Sequence, residues 1–515
     1  MKGILFNICL LFLLPVFCTA QQITYSDVVK DDSRQMNYHI IGRVSGNILV
    51  FKDQSSKYAV SIYQDDMVLK EKINLDFIPP KTFNVDFIEY PDSFYLVYEY
   101  RKKGTVFCMA VKFDGSVKQL GEPIVLDTTH VGALGDEKIY TVISSEDKEK
   151  IMVFKIQEKD KRFNFVTLLY DKQLQLIHKT RQGIDYDDRN DIYGDFQLDN
   201  EGNLVFARSI KVNNWDDIAT LHLITKGPMK DNFSIRELSL DKLYIDEMKI
   251  KIDNVNKHYI LNSFYYPERR SNIEGLYSTI WDAKGDSPIN SIFTPFADSI
   301  RSAAKEKGNI KAAFNDFFIR KMILKKDGGY ILIAEDYSKQ NLGYNNWNRN
   351  DYLYPSSRFG STYNNFYSPY YGNYYSPYNS YNNNYYNYNN NYNNSTTRNY
   401  YYNILVLSVS NTGVIEWSNI IQKDQSADNL DNFLSFATIN AGGGIHFLYN
   451  SSDKRDPLLI DNLITADGKL KRNPSLKSYD KGYDFMIRFA KKTGARQLIV
   501  PCSYRGQVCF AKIDF

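Results

Sequence analysis

The sequence has little histidine, little cysteine and no excess of either charge. Its 515 residues include 6 histidines and 5 cysteines, and 63 basic residues nearly balance 60 acidic ones. This balance excludes a protein that binds nucleic acid through bulk positive charge. Hydrophobic residues make up 43% of the chain, which excludes a wholly disordered protein.

Motifs of catalysis are also absent. The histidines are scattered singly, and no His-Glu-x-x-His, Gly-x-Ser-x-Gly, phosphate-binding loop or Cys-x-x-Cys occurs. Gly442, Gly443 and Gly444 precede a predicted strand and not a helix, so they indicate a turn and not a phosphate site. The many acidic residues are compatible with a pair of carboxylates that catalyse glycoside hydrolysis.

Only one long apolar run occurs, and it lies at the start of the chain. Residues 4–17 are almost all apolar and follow the basic Lys2, and small residues precede a predicted cleavage point after Ala20. Lipidation at Cys18 is the alternative, disfavoured by the bulky Phe17. Residues 1–20 are therefore predicted to be a signal peptide. We expect a mature chain without a transmembrane segment, in the periplasm or at the outer membrane or cell surface.

Three cysteines remain after this segment. Cys502 and Cys509 flank Arg505-Gly506, and a two-residue hairpin turn there would place them opposite each other. Such a pair can form a disulfide, or it can be two small apolar residues in a core strand. Cys108 is predicted to be a buried core residue.

A repeat dominates the rest of the sequence. Turns rich in Asp, Asn and Gly recur near residues 65, 114, 171, 227, 283, 412 and 467, at intervals of 49–57 residues except for one of 129. The long interval contains a low-complexity insertion of 62 residues, 341–402. Four short strands per repeat at this period are typical of a β-propeller. A pair of β-sandwich domains is the alternative, but sandwiches do not repeat at such an interval.

The strand pattern predicts an all-β propeller of eight four-stranded blades in a single domain, 21–515, with seven blades as the alternative. In the first unit the strands are 38–44, 47–52, 58–63 and 67–74, and the second strand is an unbroken apolar run, as expected for a sheet buried on both faces. Further units begin near residues 82, 138, 191, 246, 316 and 432. A last unit near 484 has three strands, so residues 23–29 are predicted to supply the fourth and hide a sheet edge.

The ending Cys-Thr-Ala-Gln-Gln of the signal segment, the irregular blades and the Tyr/Asn-rich insertion resemble exported β-propeller proteins of Bacteroidota type. The resemblance extends over the whole chain, but its motifs are loose. The repeated Gly-His and Trp-Asp signature of WD40 propellers is missing, and only Trp281-Asp282 matches part of it. The resemblance implies a bacterial envelope protein and identifies no site residue.

Candidate binding residues lie in loops expected on one face of the propeller. These loops combine aromatic rings with hydrogen-bonding groups, which suits sugar rings or extended peptides. The alternative is that strand ends simply carry tyrosine, of which the chain has 41. The candidates are Tyr98, Tyr100, Arg101, Trp215, Tyr265, Tyr266, Arg269 and Tyr337.

The insertion 341–402 is predicted to leave the sixth blade from the same face. It holds 18 Tyr and 19 Asn with almost no aliphatic residues, so it cannot build a core of its own. This composition suits weak contacts with glycans, proteins or further copies of itself. The alternative is a tolerated surface expansion. A helical segment, 297–314, is expected between the fifth and sixth blades.

Asp185, Asp187 and Asp191 concentrate oxygen ligands in one blade-to-blade loop. Calcium needs six to eight oxygens, but Arg189 interrupts the EF-hand pattern. A solvated acidic turn is the favoured interpretation, with a calcium site as the alternative and no other cofactor expected.

Together these patterns predict an exported binding or scaffold module of the bacterial envelope with an envelope protein or glycan as partner. Two alternatives stay open. One is a propeller enzyme that acts on polysaccharide through paired carboxylates. The other is a surface protein that self-assembles through its insertion.

Overall fold

Antiparallel strands make up nearly all regular structure in the computed structural model. The structure describes residues 21–30, 36–80, 82–131, 138–159, 162–185, 190–212, 217–305, 309–341, 349, 353, 396–452, 458–477 and 482–515. The predicted signal peptide therefore lies outside the described residues. Among those described, no helix has the length and apolar character needed to cross a membrane.

The first half of the chain forms four blades, each with strands in the order of the sequence from the inside outward. Strand β1 (Gln22–Tyr25) precedes them. Blade 1 comprises β2 (Asn37–Val44), β3 (Asn47–Gln54), β4 (Lys57–Tyr63) and β5 (Leu69–Asn74). Blade 2 comprises β6 (Thr82–Glu89), β7 (Ser93–Lys102), β8 (Thr105–Asp114) and β9 (Ile124–His130). Blade 3 comprises β10 (Tyr140–Ser144), β11 (Lys150–Lys159), β12 (Arg162–Asp171) and β13 (Leu176–Asp185). Blade 4 comprises β14 (Asp191–Leu198), β15 (Leu204–Lys211), β16 (Ile218–Lys226) and β17 (Ser234–Leu238).

The second half forms four more blades. The short β18 (Tyr244–Ile245) pairs with both β16 and β20 and joins blades 4 and 5 into one sheet. Blade 5 comprises β19 (Lys249–Asp253), β20 (His258–Tyr266), β21 (Gly275–Asp282) and β22 (Ser287–Pro295). Helix α1 (Asp298–Ala304) and a 3-10 turn (Ile310–Ala312) follow. Blade 6 comprises β23 (Phe317–Leu324), β24 (Tyr330–Asn341), β25 (Thr397–Val409), β26 (Ile415–Ile421) and the added β27 (Gln425–Asp428). Blade 7 comprises β28 (Ala437–Ala441), β29 (Gly444–Asn450), β30 (Leu458–Thr465), β31 (Leu470–Arg472) and β32 (Leu476–Lys477). Blade 8 comprises β33 (Tyr483–Phe485), a 3-10 turn (Ile487–Phe489), β34 (Lys491–Gly494), β35 (Gln497–Tyr504) and β36 (Gln507–Asp514).

The N-terminal strand closes the ring, as predicted. Strand β1 pairs antiparallel with β36, with Gln22 opposite Asp514 and Tyr25 opposite Ala511. It is the outer strand of blade 8, so β36 has no open edge over these residues. The strand is shorter than the predicted 23–29. Over the described residues the chain is thus an all-β propeller of eight blades, each built on four antiparallel strand positions, with β27 and β32 as short additions.

The hydrophobic core lies between the blades. Eight clusters of buried side chains each join one blade to the next, and the cluster containing Tyr38, Val50, Met486 and Phe510 joins blade 1 to blade 8. Each blade is therefore buried on both faces, which explains the unbroken apolar second strands. In β3, Ile48, Leu49, Val50 and Phe51 are all completely buried.

Aspartate side chains stabilise the repeated turns. Asp114 Oδ1 accepts the backbone N–H groups of Ser116 and Lys118 at 2.8 and 2.9 Å. Asp171 Oδ1 accepts those of Gln173 and Gln175 in the same way. A carboxylate that binds two turn N–H groups stabilises the reversal locally, which is why the turns could be read from the sequence.

Three boundaries differ from the predictions. The helical segment 297–314 is a seven-residue helix and a separate 3-10 turn. The last unit, predicted to begin near residue 484, starts with two short strands that the 3-10 turn Ile487–Phe489 separates. Residues 397–402 and Asn341 belong to β25 and β24, because the two strands pair from Tyr330 and Val409 out to Asn341 and Thr397.

Two kinds of loop lie at one edge of the blades because strand direction alternates. These are the loops between second and third strands and the loops between blades. The insertion leaves from the loop between β24 and β25, and we call this edge the arm face.

Candidate binding face

The insertion is attached to the arm face through Arg349. Its Nε lies 2.5 Å from Oδ2 of Asp246, in the loop before blade 5, and Nη1 donates to the carbonyl of Phe317. The guanidinium lies over the ring of Phe318, 4.0 Å from its centroid. Tyr266 donates to the same Asp246 oxygen at 2.6 Å. These additional partners offset part of the cost of burying the ion pair, although the buried Nη2 of Arg349 has no hydrogen-bond partner among the described residues.

A second contact of the insertion is apolar. Leu353 is 5% exposed and packs in a cluster with Phe318, Tyr337, Tyr401 and Leu434. These four residues belong to blade 6 and to the loop that leads to blade 7. The insertion therefore contacts the propeller at two described residues that come from a segment poor in apolar and charged side chains.

A buried charge cluster lies next to this attachment. Lys423 Nζ is 3.0 Å from Glu335 Oε1, and neither side chain is exposed. Arg320 Nε and the hydroxyl of Ser435 reach Oε2 of Glu335 at 3.2 and 2.8 Å. Burial lowers the pKa of Lys423, and Glu335 opposes that shift. The cluster joins strands β23 and β24 to the loop between blades 6 and 7.

Asp336 follows Glu335 on β24 and is a titratable group near neutral pH. Its side chain is partly buried. Burial, and the carboxylates of Asp316 and Glu335, raise the pKa of Asp336 to about 7, while Lys423 opposes the shift. A carboxyl group of this kind can hold or release a proton at the root of the insertion.

A groove with a volume of about 420 Å³ runs between blades 6 and 7 beside this cluster. Its lining combines apolar and polar side chains, and Asp424 and Arg472 are exposed there. The hydroxyl of Tyr449 accepts from the Asn462 amide at 2.8 Å and so has a fixed orientation. The side chains around it include Ile420, Gln422, Lys423, Asp424, Tyr449, Asn450, Asn462, Leu470 and Arg472.

Several carboxylates near the inner strands connect neighbouring blades. Glu99 Oε2 of blade 2 accepts the N–H groups of Ile139 and Tyr140 of blade 3 at 3.0 and 3.2 Å. Glu247 Oε1, before blade 5, accepts the N–H of Ile319 in blade 6 at 3.0 Å. In the same way Asp195 of blade 4 accepts an N–H from β19 of blade 5. These carboxylates bind backbone groups that inner strands would otherwise leave unsatisfied.

The predicted residues of blade 2 form an aromatic row. Tyr98 is 3% exposed, whereas Tyr100 is half-buried and stacks on Phe107 with centroids 5.3 Å apart. The rings of Tyr98 and Tyr100 are 6.1 Å apart and also stacked. Arg101 is half-buried at the end of the row. Tyr98 therefore contributes mainly to the core, and Tyr100 presents a partly exposed ring.

The predicted residues of blades 5 and 6 are mostly internal. Tyr265 and Tyr266 are 5% and 9% exposed, and Tyr337 is 4% exposed. Tyr265 packs edge-on against Phe293 at 5.1 Å. Arg269 is exposed in the loop after β20. These tyrosines therefore pack beneath the arm face and are not exposed on it.

Trp215, from the loop of blade 4, lies outside the described residues. The structure brings Tyr266 and Tyr337 to the attachment of the insertion through Asp246 and Leu353. Tyr98, Tyr100 and Arg101 lie four blades away in chain order. The candidate residues are therefore spread around the face and do not meet in one site.

The two described carboxylates of the acidic loop form ion pairs with arginines. Asp185 is paired with Arg162 at 3.0 Å and is exposed. Asp191 is buried, and its Oδ2 lies 2.7 Å from Arg208. Asp187 lies outside the described residues. Within the described part of the chain, no group of three or more His, Cys, Asp or Glu residues is arranged to hold a metal ion.

Cys502 and Cys509 lie opposite each other on β35 and β36, as the turn prediction required. Arg505 and Gly506 have φ angles of 48° and 87°, which is the geometry of a two-residue hairpin turn. The two Sγ atoms are 2.8 Å apart, and both residues are buried free thiols. Cys108 is also buried, as predicted.

A second aromatic row, in blade 8, was not predicted. The rings of Tyr25 and Tyr483 have centroids 4.3 Å apart, and Tyr483 and Tyr504 stack at 4.5 Å. The guanidinium of Arg505 lies 5.1 Å from the centre of the Tyr504 ring. All three tyrosines are half-buried. The row forms only because β1 pairs with blade 8, so the sequence of any single strand does not predict it.

Comparison with known proteins adds little to this description. No family model matches the chain, and no curated protein sequence matches it. Among solved structures, prolyl oligopeptidase B from Galerina marginata is 9% identical with a TM-score of 0.40, and the match covers 92% of this chain. Polysaccharide lyase Uly1 is 9% identical with a TM-score of 0.39, covering 83% of this chain and 89% of that one. Hydrazine synthase of Kuenenia stuttgartiensis is 10% identical with a TM-score of 0.30, covering 60% and 78% of the two chains.

The chain spans only 56% of the length of the prolyl oligopeptidase that it matches. With TM-scores this low, the assignment of the fold rests on the strand pairing and on the clusters between blades. The resemblance to exported Bacteroidota propellers stays a prediction.

Proposed function

We propose that the protein is an exported binding module of the bacterial envelope that contacts a protein or glycan through its arm face. The observation that carries the proposal is the arrangement in blades 6 and 7. There the Tyr/Asn-rich insertion is attached by Arg349 and Leu353 beside a groove of about 420 Å³. The groove combines apolar side chains such as Ile420 and Leu470 with polar groups, of which Asn462 orients the Tyr449 hydroxyl, and ligand sites commonly combine the two.

The buried charge cluster supports this reading. Lys423 donates to the Tyr401 carbonyl and to Gln425, and Glu335 Oε2 accepts from Arg320 and Ser435, so the groove and the root of the insertion share a connected base. A rigid base lowers the cost of ordering when a partner binds. The insertion then adds weak contacts through tyrosine rings and asparagine amides, increasing affinity by multivalency.

The test distinguishes the contribution of the groove to binding from that of the insertion. One variant deletes residues 354–395 and keeps Arg349 and Leu353. A second carries Asp424→Lys and Arg472→Glu, which reverse both exposed charges of the groove. A matched control, Lys70→Glu with Glu71→Lys, reverses two exposed charges on β5 of blade 1.

The measurement is cross-linking and recovery of partners from intact envelopes, together with binding to isolated envelope glycans. We expect a specific partner that the control retains and that the groove variant or the deletion loses. Loss only with the deletion would assign recognition to the insertion. If the unaltered protein recovers no protein and binds no glycan, the proposal is wrong.

The enzyme alternative would assign the general acid to Asp336, a partly buried carboxyl group at the root of the insertion, where burial, Asp316 and Glu335 raise its pKa to about 7. Under this alternative Asp336→Asn abolishes release of reducing or unsaturated ends from envelope polysaccharides. Absence of any cleavage by the unaltered protein would reject it. The third alternative, self-assembly, requires that the deletion of 354–395 abolish assembly without unfolding the blades.

A further inference from the structure

The polar side chains of the groove between blades 6 and 7 donate mainly to the protein itself. Gln422 Nε2 donates to the carbonyl of Ala303 in helix α1 at 2.8 Å. Asn450 Nδ2 donates to the carbonyls of Phe433 and Phe485 at 2.8 and 2.7 Å, which uses both of its amide hydrogens. These bonds connect the groove with helix α1 and with blade 8, and they leave few N–H groups for a ligand.

The lysine of the groove is also occupied. Lys423 Nζ donates to the Tyr401 carbonyl at 3.0 Å and to Gln425 Oε1 at 3.1 Å, and it lies 3.0 Å from Glu335 Oε1. The side chain of Lys423 has no exposed area. It therefore supports the groove from within the protein and offers no ammonium group to a ligand.

A chain of two hydrogen bonds fixes the side chains on the blade 7 side. Asn462 Nδ2 donates to the Tyr449 hydroxyl at 2.8 Å, and that hydroxyl donates to the backbone carbonyl of Gln422 at 3.3 Å. The main donors that remain in the groove are the guanidinium of Arg472 and the hydroxyl of Ser452, which are both exposed.

Acceptor oxygens outnumber these donors. Among the described residues, the side-chain oxygens of Gln422, Asn450 and Asn462 accept no hydrogen bond, and the exposed Asp424 carboxylate has no partner. Asn462 is only 6% exposed, yet neither its oxygen nor that of Asn450 is among the fully buried unpaired atoms. Because their amide nitrogens are held, both oxygens have a fixed direction and can accept from a ligand.

Apolar side chains complete the groove, among them Ile420, Ile460 and Leu470. A sugar ring has C–H groups on its faces and hydroxyl groups at its edge, so it can pack on apolar side chains and donate to acceptors together. An acidic sugar would bring its carboxylate toward Asp424 and the amide oxygens. An extended peptide carries one carbonyl acceptor for each N–H donor, and its carbonyls would find few donors here.

We propose that the groove binds a segment of a neutral glycan, whose hydroxyl groups donate to Asp424, Asn450 and Asn462 while a ring face packs on the apolar side chains. Acceptors held in place by the protein reduce the cost of ordering on binding. An acidic ligand is disfavoured because it leaves acceptors facing each other without donors. The inference rests on the function proposed above and names the ligand class for the groove.

The test compares oligomers of equal length with the unaltered protein by titration calorimetry. Cellohexaose, mannohexaose and xylohexaose are the neutral probes, hexagalacturonate is the acidic probe, and a hexapeptide of alanine and serine represents an extended peptide. We expect saturable binding of at least one neutral oligomer. Hexagalacturonate and the peptide should bind at least about tenfold more weakly than that oligomer.

The decisive variant is Asp424→Lys, which replaces an acceptor of the groove by a cationic donor. Glu71→Lys, on the exposed face of β5 in blade 1, is the matched control with the same change of charge. We expect Asp424→Lys to weaken binding of the neutral oligomer about tenfold and to strengthen binding of hexagalacturonate. Glu71→Lys should change neither affinity. Both positions are exposed, so both variants should unfold at the temperature of the unaltered protein.

The proposal is overturned if no neutral oligomer binds saturably, or if hexagalacturonate or the peptide binds at least as tightly as every neutral oligomer. It is also overturned if Asp424→Lys binds the neutral oligomer as well as Glu71→Lys does. The function proposed above fails by a different result, which is that the unaltered protein recovers no envelope protein and binds no envelope glycan. An envelope protein lost with the groove variant, without binding of any neutral oligomer, would support that function and overturn the neutral-glycan assignment.

Discussion

Arg349 and Asp246 join the low-complexity insertion of blade 6 to the loop before blade 5. Their side chains are 10% and 3% exposed, and Nε and Oδ2 are 2.5 Å apart. The pair attaches the insertion to the propeller at one defined residue, although the composition of the insertion does not predict an attachment. It also explains why Tyr266, predicted as a ligand-binding residue, is instead a partner of Asp246.

Arg349→Ala should destabilise the propeller. The substitution removes the cation that contacts the nearly buried Asp246 carboxylate, and we expect the free energy of unfolding to fall by about 3 kcal/mol. The measurement is chemical denaturation followed by tyrosine fluorescence. Arg358→Ala removes an arginine from the same insertion and serves as the control. Equal effects of the two substitutions would show that the attachment does not stabilise the fold.

Glu99 should make stability depend on pH. Burial raises the pKa of Glu99 to about 7 in the folded protein, above its ordinary value of 4.5. A carboxyl group with a raised pKa contributes its stability below the unfolded pKa and loses it as pH rises through the folded value. Its contribution should fall by about 3 kcal/mol from pH 4.5 to pH 8.

Glu99→Gln should reduce this loss of stability with rising pH. The check is the free energy of unfolding of both proteins at about pH 5 and about pH 8.5. Asp195 and Asp336 have pKa values raised to about 6 and about 7, so part of the decrease in stability with rising pH should remain in Glu99→Gln. Glu71→Gln, on the exposed face of β5, is the control. An unchanged slope in Glu99→Gln would contradict the assignment.

The closing strand should be essential to stability. Ile23 lies opposite Ile513 and packs in the cluster between blades 7 and 8. Ile23→Asp places a charge in this cluster and should release β1, which exposes the edge of β36 to other chains. We expect a lower unfolding temperature and aggregation in size-exclusion chromatography. Gln22→Lys places a charge at an exposed position of the same strand opposite Asp514, and it should behave like the unaltered protein.

Cys502 and Cys509 should form a disulfide when the protein matures in an oxidising compartment. Their Sγ atoms are 2.8 Å apart in the thiol form, and the bond needs only a small approach. Alkylation under denaturing conditions without reduction should then label Cys108 alone. The bond should add about 2 kcal/mol to the free energy of unfolding relative to Cys502→Ser. Labelling of all three cysteines would contradict this.

The strand pattern of this fold could be read locally. Asp114 and Asp171 stabilise their turns through N–H groups two and four residues further on, so each turn is marked by its own segment. The second strands, such as β3 with Ile48 to Phe51, show by unbroken apolar character that both faces are buried. The three-stranded last repeat predicted the closure by β1 because an open edge is unfavourable.

Less of the candidate site could be predicted from local sequence patterns. Glu335 gave one usable signal, a carboxylate directly after the apolar run from Tyr330 to Ala334, which marks a buried charge that needs a partner. Its partner Lys423 lies on the far side of the insertion. The tyrosines were predicted from their position near strand ends, but Tyr98, Tyr265, Tyr266 and Tyr337 proved to be internal. Composition cannot tell which face of a ring a neighbouring blade covers.

The sequence by itself therefore determined the repeat, the number of blades and the closure of the ring, because turns and alternation of burial act between residues close in the chain. The tertiary structure decided which charged groups meet. Arg349 and Asp246 are 103 residues apart, and Glu335 and Lys423 lie on opposite sides of the insertion in the sequence. Such convergence depends on how the blades pack around one axis, and no local pattern encodes it.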